Sequence, residues 1–150
     1  MQSVFLFFEI SMSNNKYILS QMIVQTRIPL RYHTPYHMYD LLIRAIRQEK
    51  VHLFGRINHS KVAPPDIDMP LTVNVYFGTP AQGTALMMHE PYTLSTKLPL
   101  CIGFVHIRSI DMVQLTFYNP FDPEVYPVPF RHTATLVTRI FSTVSELAAT

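Results

Sequence analysis

The chain has 150 residues, 48% of them hydrophobic and 15% charged, with 12 prolines, four glycines, one cysteine and no tryptophan. That length and apolar content fit one domain with a core of its own and exclude a disordered chain. A single cysteine, Cys101, excludes an internal disulfide and suits a reducing compartment, and the net charge of +2 excludes a strongly polybasic or polyacidic protein.

"VFLFFEISM", starting at Val4, reads as a strand. Its apolar run is too short to span a membrane, and no basic residue precedes it as in a signal peptide. An alternative for Val4–Phe8 is an interfacial anchor whose aromatics dip into lipid. "SNN" (Ser13–Asn15) reads as a turn and "KYILSQMIVQTRI" as a second strand, whose central pairing Pro29 ends. Thr34 then caps a helix with Pro35 in its first position. Met38, Leu41, Leu42, Ala45 and Ile46 follow helical spacing and make one apolar face, while His37, Asp40, Arg44, Arg47 and Gln48 point elsewhere. "VHLFG" reads as a short strand, Asn58–Pro70 as a proline-stiffened loop and "LTVNVYF" as a strand.

"GTPAQGT" (Gly78–Thr84) has two glycines, one proline and no charge, and reads as an exposed flexible loop. Gly78, Gly83, Leu86, Met87 and Met88 would make it an adaptable contact surface. "ALMMHEPYTL" is ambiguous. "LPLCIGFVHI" and "DMVQLTFY" read as a hairpin turning at Arg108 and Ser109. The four prolines of Asn119–Phe130 predict an extended strap over the core. Val137, Ile140, Phe141, Val144, Leu147 and Ala148 predict a closing helix, with a strand at Thr133–Phe141 as the alternative. The fold expected is a single α+β domain over 1–150, mainly an antiparallel sheet packed by an amphipathic helix at about 34–50 and a C-terminal helix.

No catalytic signature emerges. His33 and His37 stand four apart, but no second His or Cys pair completes a metal site. Cys101, His106 and Asp111 have the residue types of a nucleophile, base and orienter. Yet Cys101 and His106 are an odd number apart in a strand and point to opposite faces. Phosphate-cradling glycine loops and dinucleotide fingerprints are missing. A non-enzymatic protein without cofactor or metal is expected.

Charge is unevenly spread. The first 61 residues hold eight basic against three acidic side chains, and the remainder four against seven. Such a split suits an anionic lipid or ribonucleoprotein partner, or head-to-tail self-association. The residues expected on the anion-binding surface are Arg27, Arg31, Arg44, Arg47, Lys50, Arg56 and Lys61. Tyr17, Tyr32, Tyr36 and Tyr39 interleave with them, a mixture that tolerates RNA contact and base stacking.

The order of "YILSQMIVQTRIPLRYHTPYHMYDLLIRAI" resembles the opening of the matrix-protein domain of rhabdoviruses, at Arg27, Pro29, Leu30, Arg31 and Asp40. "EPYTLSTKLPLCIGFVHIRSIDMVQLTFY" is similar to a second segment of that family at Pro99, Ile102, Gly103, Leu115 and Thr116, and the two segments cover about 60 of the 150 residues. The lysine-rich tail and Pro-Pro-x-Tyr motif of matrix proteins are not matched, since Pro64-Pro65-Asp66-Ile67 lacks the tyrosine and the chain begins almost at once with a strand-like run. Val51–Met88 is also shorter than the family's middle region. The resemblance implies a matrix-like structural protein, without a long disordered amino-terminal tail, that binds anionic membrane or nucleocapsid and self-associates during virion assembly. It would reside in the virion and at membranes of the host cytoplasm, or in the nucleus. The alternative it implies is a matrix-derived accessory protein that binds and antagonises a host factor.

Overall fold

The computed structural model describes residues 4–13 and 16–150, with side chains from Ile23 onward. Its elements are β1 (Val4–Ser13), β2 (Lys16–Pro29), α1 (Pro35–Gln48), β3 (His52–Asn58), α2 (His59–Val62), β4 (Thr72–Gly78), α3 (Pro80–His89), α4 (Pro91–Leu94), β5 (Leu100–Ile107), β6 (Met112–Tyr118) and α5 (Pro127–Ala149). The strands form one antiparallel sheet in the order β1-β2-β6-β5-β4-β3. This is the single α+β domain expected. The side chains of Val4–Phe8 lie outside the described residues, as do Asn14 and Asn15 of the expected turn.

Period-two alternation decides which sheet face is covered. Val73, Val75 and Phe77 of β4, Leu100, Ile102 and Phe104 of β5, and Val113, Leu115 and Phe117 of β6 are buried. They share one core with α1 and α5, fixed by ring contacts such as Tyr39 edge-on to Phe104 at 5.7 Å. The opposite face carries Asn74, Tyr76, Cys101, Gly103, Gln114 and Thr116, all partly exposed. Burial pushes the Cys101 thiol above its ordinary pKa, which makes it a poor nucleophile.

The strand-to-helix corner is local chemistry. Pro29 makes the last β2–β6 pair, with Met112. Arg31 adopts φ 56° and His33 N donates to Leu30 O at 2.9 Å, turning the chain. Asp111, at φ 51°, turns the adjacent β5–β6 hairpin, and its carbonyl accepts from Leu30 N at 3.1 Å. Thr34 Oγ1 then accepts from His37 N at 3.1 Å and starts α1. The predicted stripe of α1 is buried, and Tyr39 joins it.

Three local expectations need correction. Asn58–Pro70 is not a loop throughout: Asn58 ends β3 and caps the one-turn helix α2. Gly78–Thr84 is not a loop. Gly78 closes β4, and Pro80 occupies the first turn of α3, where its missing N–H costs nothing. The strap Asn119–Phe130 is not extended: the chain turns at residues 123–125, closed by Tyr126 N donating to Asp122 O at 2.7 Å, and Pro127 and Pro129 fall within a helical first turn. The final helix therefore starts ten residues before Val137, and no strand forms at Thr133–Phe141.

Candidate ligand-binding clefts

The helix α3 crosses the edge of the core with no fully buried residue, so it leaves space on both sides. On one side a cavity of about 390 Å³ opens toward α5, walled by Phe121, Val128, His132 and Leu136. On the other a cavity of about 290 Å³ opens toward β3, walled by Phe54, Met87 and Pro99. Thr79, Gly83, Leu98 and Leu100 belong to both. Gly83 faces this space without obstruction, since a Cβ there would meet nothing within 4 Å. Gly78 is constrained instead: a Cβ there would lie 3.3 Å from the ring of Phe54. The linings are predominantly apolar, with His132 as the titratable side chain and Thr79, Gln82, Thr84 and Thr133 as polar points.

The far end of α3 is anchored. Tyr126 donates its hydroxyl proton to the Glu90 carboxylate, joining the α3–α4 junction to the start of α5. Phe121 packs edge-on to Tyr126 at 6.1 Å. The Tyr126 hydrogen bond, aided by one from Thr93, holds Glu90 below the usual carboxylate range, and the same bond raises Tyr126. Replacing Tyr126 with Phe is expected to raise the Glu90 pKa, as read from its carboxyl resonance in a pH titration. Because Glu90 is depressed in the folded state, the wild-type contact contributes above the unfolded carboxyl pKa and is lost as pH falls through the folded value.

A second cleft, of about 380 Å³, lies between α1, β3 and α2. Arg56 of β3 donates to the Tyr39 hydroxyl at 2.9 Å, and its guanidinium carbon lies 5.5 Å from that ring's centre. That hydrogen bond to Tyr39 raises the Arg56 pKa further, and the group is always charged. Lys61, Tyr36, Asp40 and Asn58 complete the walls over a floor of Leu71 and Val73. Asp40 also borders a shallow depression with Arg44 and Arg47 on the outer face of α1.

Of the seven basic residues expected on one surface, Arg44, Arg47, Arg56 and Lys61 line these two adjoining depressions. Lys50 is exposed just past α1, and Arg31 sits at the corner beside Tyr32, whose hydroxyl donates to Thr150 O at 2.9 Å. Arg27 lies on the uncovered sheet face and donates to Gln114 at 2.9 Å. Gly78, Gly83, Leu86 and Met87 line the clefts around α3, whereas Met88 is 81% exposed. His33 and His37 stack at 4.7 Å, and His33 Nε2 lies 3.0 Å from Ala148 O, tying the corner to the end of α5. Sequence reasoning grouped Tyr39 with the tyrosines interleaving the basic residues and missed its place in the buried stripe, although its spacing to Leu42 and Ile46 is helical. It also missed His132, Glu90 with Tyr126, and Asn119.

No family model matches the sequence, and no curated protein does. Among solved structures, the fold is similar to a crystal structure of an uncharacterized conserved protein, DUF302, from Bacillus stearothermophilus. The identity is 12%, the TM-score is 0.52, and the match covers 80% of this chain and 94% of that one. At that identity the likeness shows the fold alone. It overturns the expected kinship with rhabdovirus matrix proteins, and the matrix-derived accessory alternative falls with it. The positions behind that resemblance have local explanations: Pro29 ends a strand, Arg31 makes a turn, and Ile102 and Leu115 are core.

Proposed function

We propose that the protein is a binding domain for a small apolar molecule, held in the divided cleft around α3. The observation that carries this reading is the pair of cavities, about 390 and 290 Å³, sharing Thr79, Gly83, Leu98 and Leu100. The larger matches the size of small-molecule sites, which are apolar with a few placed polar groups. Segments distant in sequence converge there: the β4–α3 junction, the start of β5, Phe121 and the first turns of α5. Thr79, Gln82 and His132 supply polar points for orienting a ligand, and a binding role asks for no more chemistry than that.

Gly83→Leu tests the reading without harming the fold. The new side chain has room at its Cβ and would fill the cleft. Replacing a mid-helix glycine also favours α3, by up to about 1 kcal/mol. The wild type is expected to bind the uncharged dye N-phenyl-1-naphthylamine saturably, with enhanced fluorescence. The variant is expected to lose that binding while melting at the same or a higher temperature. A variant that is well folded yet binds the dye as before would remove the reading.

A further inference from the structure

We infer that the cleft between α1, β3 and α2 is a second binding site, separate from the one around α3, and that it takes a phosphate monoester with an apolar or aromatic body. Arg56 is the centre of the argument. A guanidinium has five N–H donors in a planar fork that fits phosphate and carboxylate oxygens two at a time. Among the described residues, Arg56 donates one internal hydrogen bond, 2.9 Å to the neutral hydroxyl of Tyr39, over whose ring it also lies. Among the described residues no carboxylate lies within ion-pair distance of it, in contrast to Arg108, paired with Asp68 at 3.0 Å, and Arg139, paired with Glu49 at 3.1 Å. The Tyr39 contact is structural: Tyr39 is buried in α1, and its ring is fixed against Phe104. Arg56 is thus held in place and charged, with donors left over. A cation oriented in advance loses less freedom when a ligand arrives.

The rest of the cleft narrows the ligand class. Lys61 brings a second positive charge to the same walls, which matches a phosphate dianion better than a single carboxylate. Leu71 and Val73 form an apolar floor, and the exposed ring of Tyr36 stands at the rim. Those surfaces offer nothing to a bare inorganic ion but cover the body of an organic ester. Asp40 is the opposing charge in the cleft. It lowers the attraction for a simple anion and can accept a hydrogen bond from a hydroxyl on the ligand. The same chemistry is presented by a free phosphorylated small molecule and by a phosphoinositide headgroup.

The test is a titration of isotope-labelled protein followed by two-dimensional NMR. Phenyl phosphate is expected to shift the Tyr36, Arg56 and Lys61 resonances saturably, and more tightly than inorganic phosphate does. Arg56→Gln should weaken phenyl phosphate about tenfold or more, and Lys61→Gln by a smaller factor. Arg56→Lys keeps the charge but not the fork and should fall between wild type and Arg56→Gln. Arg44→Gln, on the outer face of α1, should leave the affinity unchanged. Vesicles of phosphatidylcholine with phosphatidylinositol 4-phosphate separate the two sources. Binding displaced by phenyl phosphate assigns the site to a lipid headgroup, and inert vesicles beside bound phenyl phosphate assign it to a free ester. The inference is overturned if phenyl phosphate causes no saturable shift, or if folded Arg56→Gln and Lys61→Gln both bind it as tightly as the wild type.

Discussion

Replacing Leu42 with alanine is expected to destabilise the domain by about 2–5 kcal/mol, lowering the melting temperature by roughly 5–15 °C. Leu42 occupies the middle of α1, is fully buried, and shares its core with Phe104, Ile140 and Phe141. Truncation removes apolar transfer energy and leaves a cavity that rigid neighbours on helix and sheet fill poorly. Leu42→Met, which nearly conserves volume, should cost under about 1.5 kcal/mol. Arg44→Ala, two residues on and exposed, should leave the melt within about 0.5 kcal/mol of wild type. Thermal denaturation of the three variants checks the ranking. A Leu42→Ala melt level with Arg44→Ala would mean that this stripe does not pack against the sheet.

The second large effect is expected at Asn119, a buried polar side chain just past β6. Its Nδ2 donates to Phe130 O at 2.9 Å, and its Oδ1 accepts from Phe121 N at 3.1 Å. One amide thus satisfies both ends of the segment that leads into α5. Alanine would leave the buried N–H of Phe121 without its partner, at about 1–3 kcal/mol, and take one of two donors from the Phe130 carbonyl, which keeps its helical bond in α5. A total of about 1–3 kcal/mol is expected in urea unfolding at neutral pH. Asn119→Asp discriminates further. A carboxylate still accepts from Phe121 N but meets Phe130 O with a lone pair. Only the protonated acid can donate, so the folded state raises that carboxyl's pKa. The Asp variant's deficit should therefore be present at neutral pH and shrink as pH falls through the raised value. A deficit independent of pH would refute the assignment of donor to Phe130 O.

The sheet and α1 were legible because their signals are periodic and undisturbed. Val73, Val75 and Phe77 alternate, as do Ile102 and Phe104, and that alternation alone places the covered face. The stripe of α1 begins behind a capping threonine and a first-turn proline. The errors at α3 and α5 share one cause. Pro80, Gly83, Pro127 and Pro129 were read as breakers, yet three of them sit where a helix has no partner for the N–H, and Gly83 needs no positive φ inside α3. The breaker rule is a statement about helix interiors, and sequence alone does not say where an interior begins. The clefts were half legible. Gly83, Leu86 and Met87 drew notice as an unusual composition, and Arg56 and Lys61 as charge. Their partners, His132 and Tyr39, arrive from elsewhere in the fold, and no local pattern pairs them. The resemblance to matrix proteins failed for a related reason: strand, proline, turn and helix follow one another in many sheets, and these residues are answering local geometry.

The strand order also governs how the chain can assemble. The three antiparallel neighbours β4, β5 and β6 are consecutive in sequence, and β3 precedes them directly, so that these four of the six strands pair through steps between sequence neighbours. The strand β2 must instead find β6 across most of the protein, as the contact of Arg27 with Gln114, 87 positions later, illustrates. That pairing carries the larger loop-closure cost and belongs late in folding. During synthesis the hairpin β1–β2 emerges before the other strands of the sheet and must wait, its inner edge unpaired, until β6 has left the ribosome. The apolar "VFLFF" of its outer strand waits with it. An incomplete chain therefore presents an open strand edge beside an apolar run, the condition that favours chaperone capture or aggregation. In this fold the hazard of misassembly lies in the interval between the second strand and the sixth.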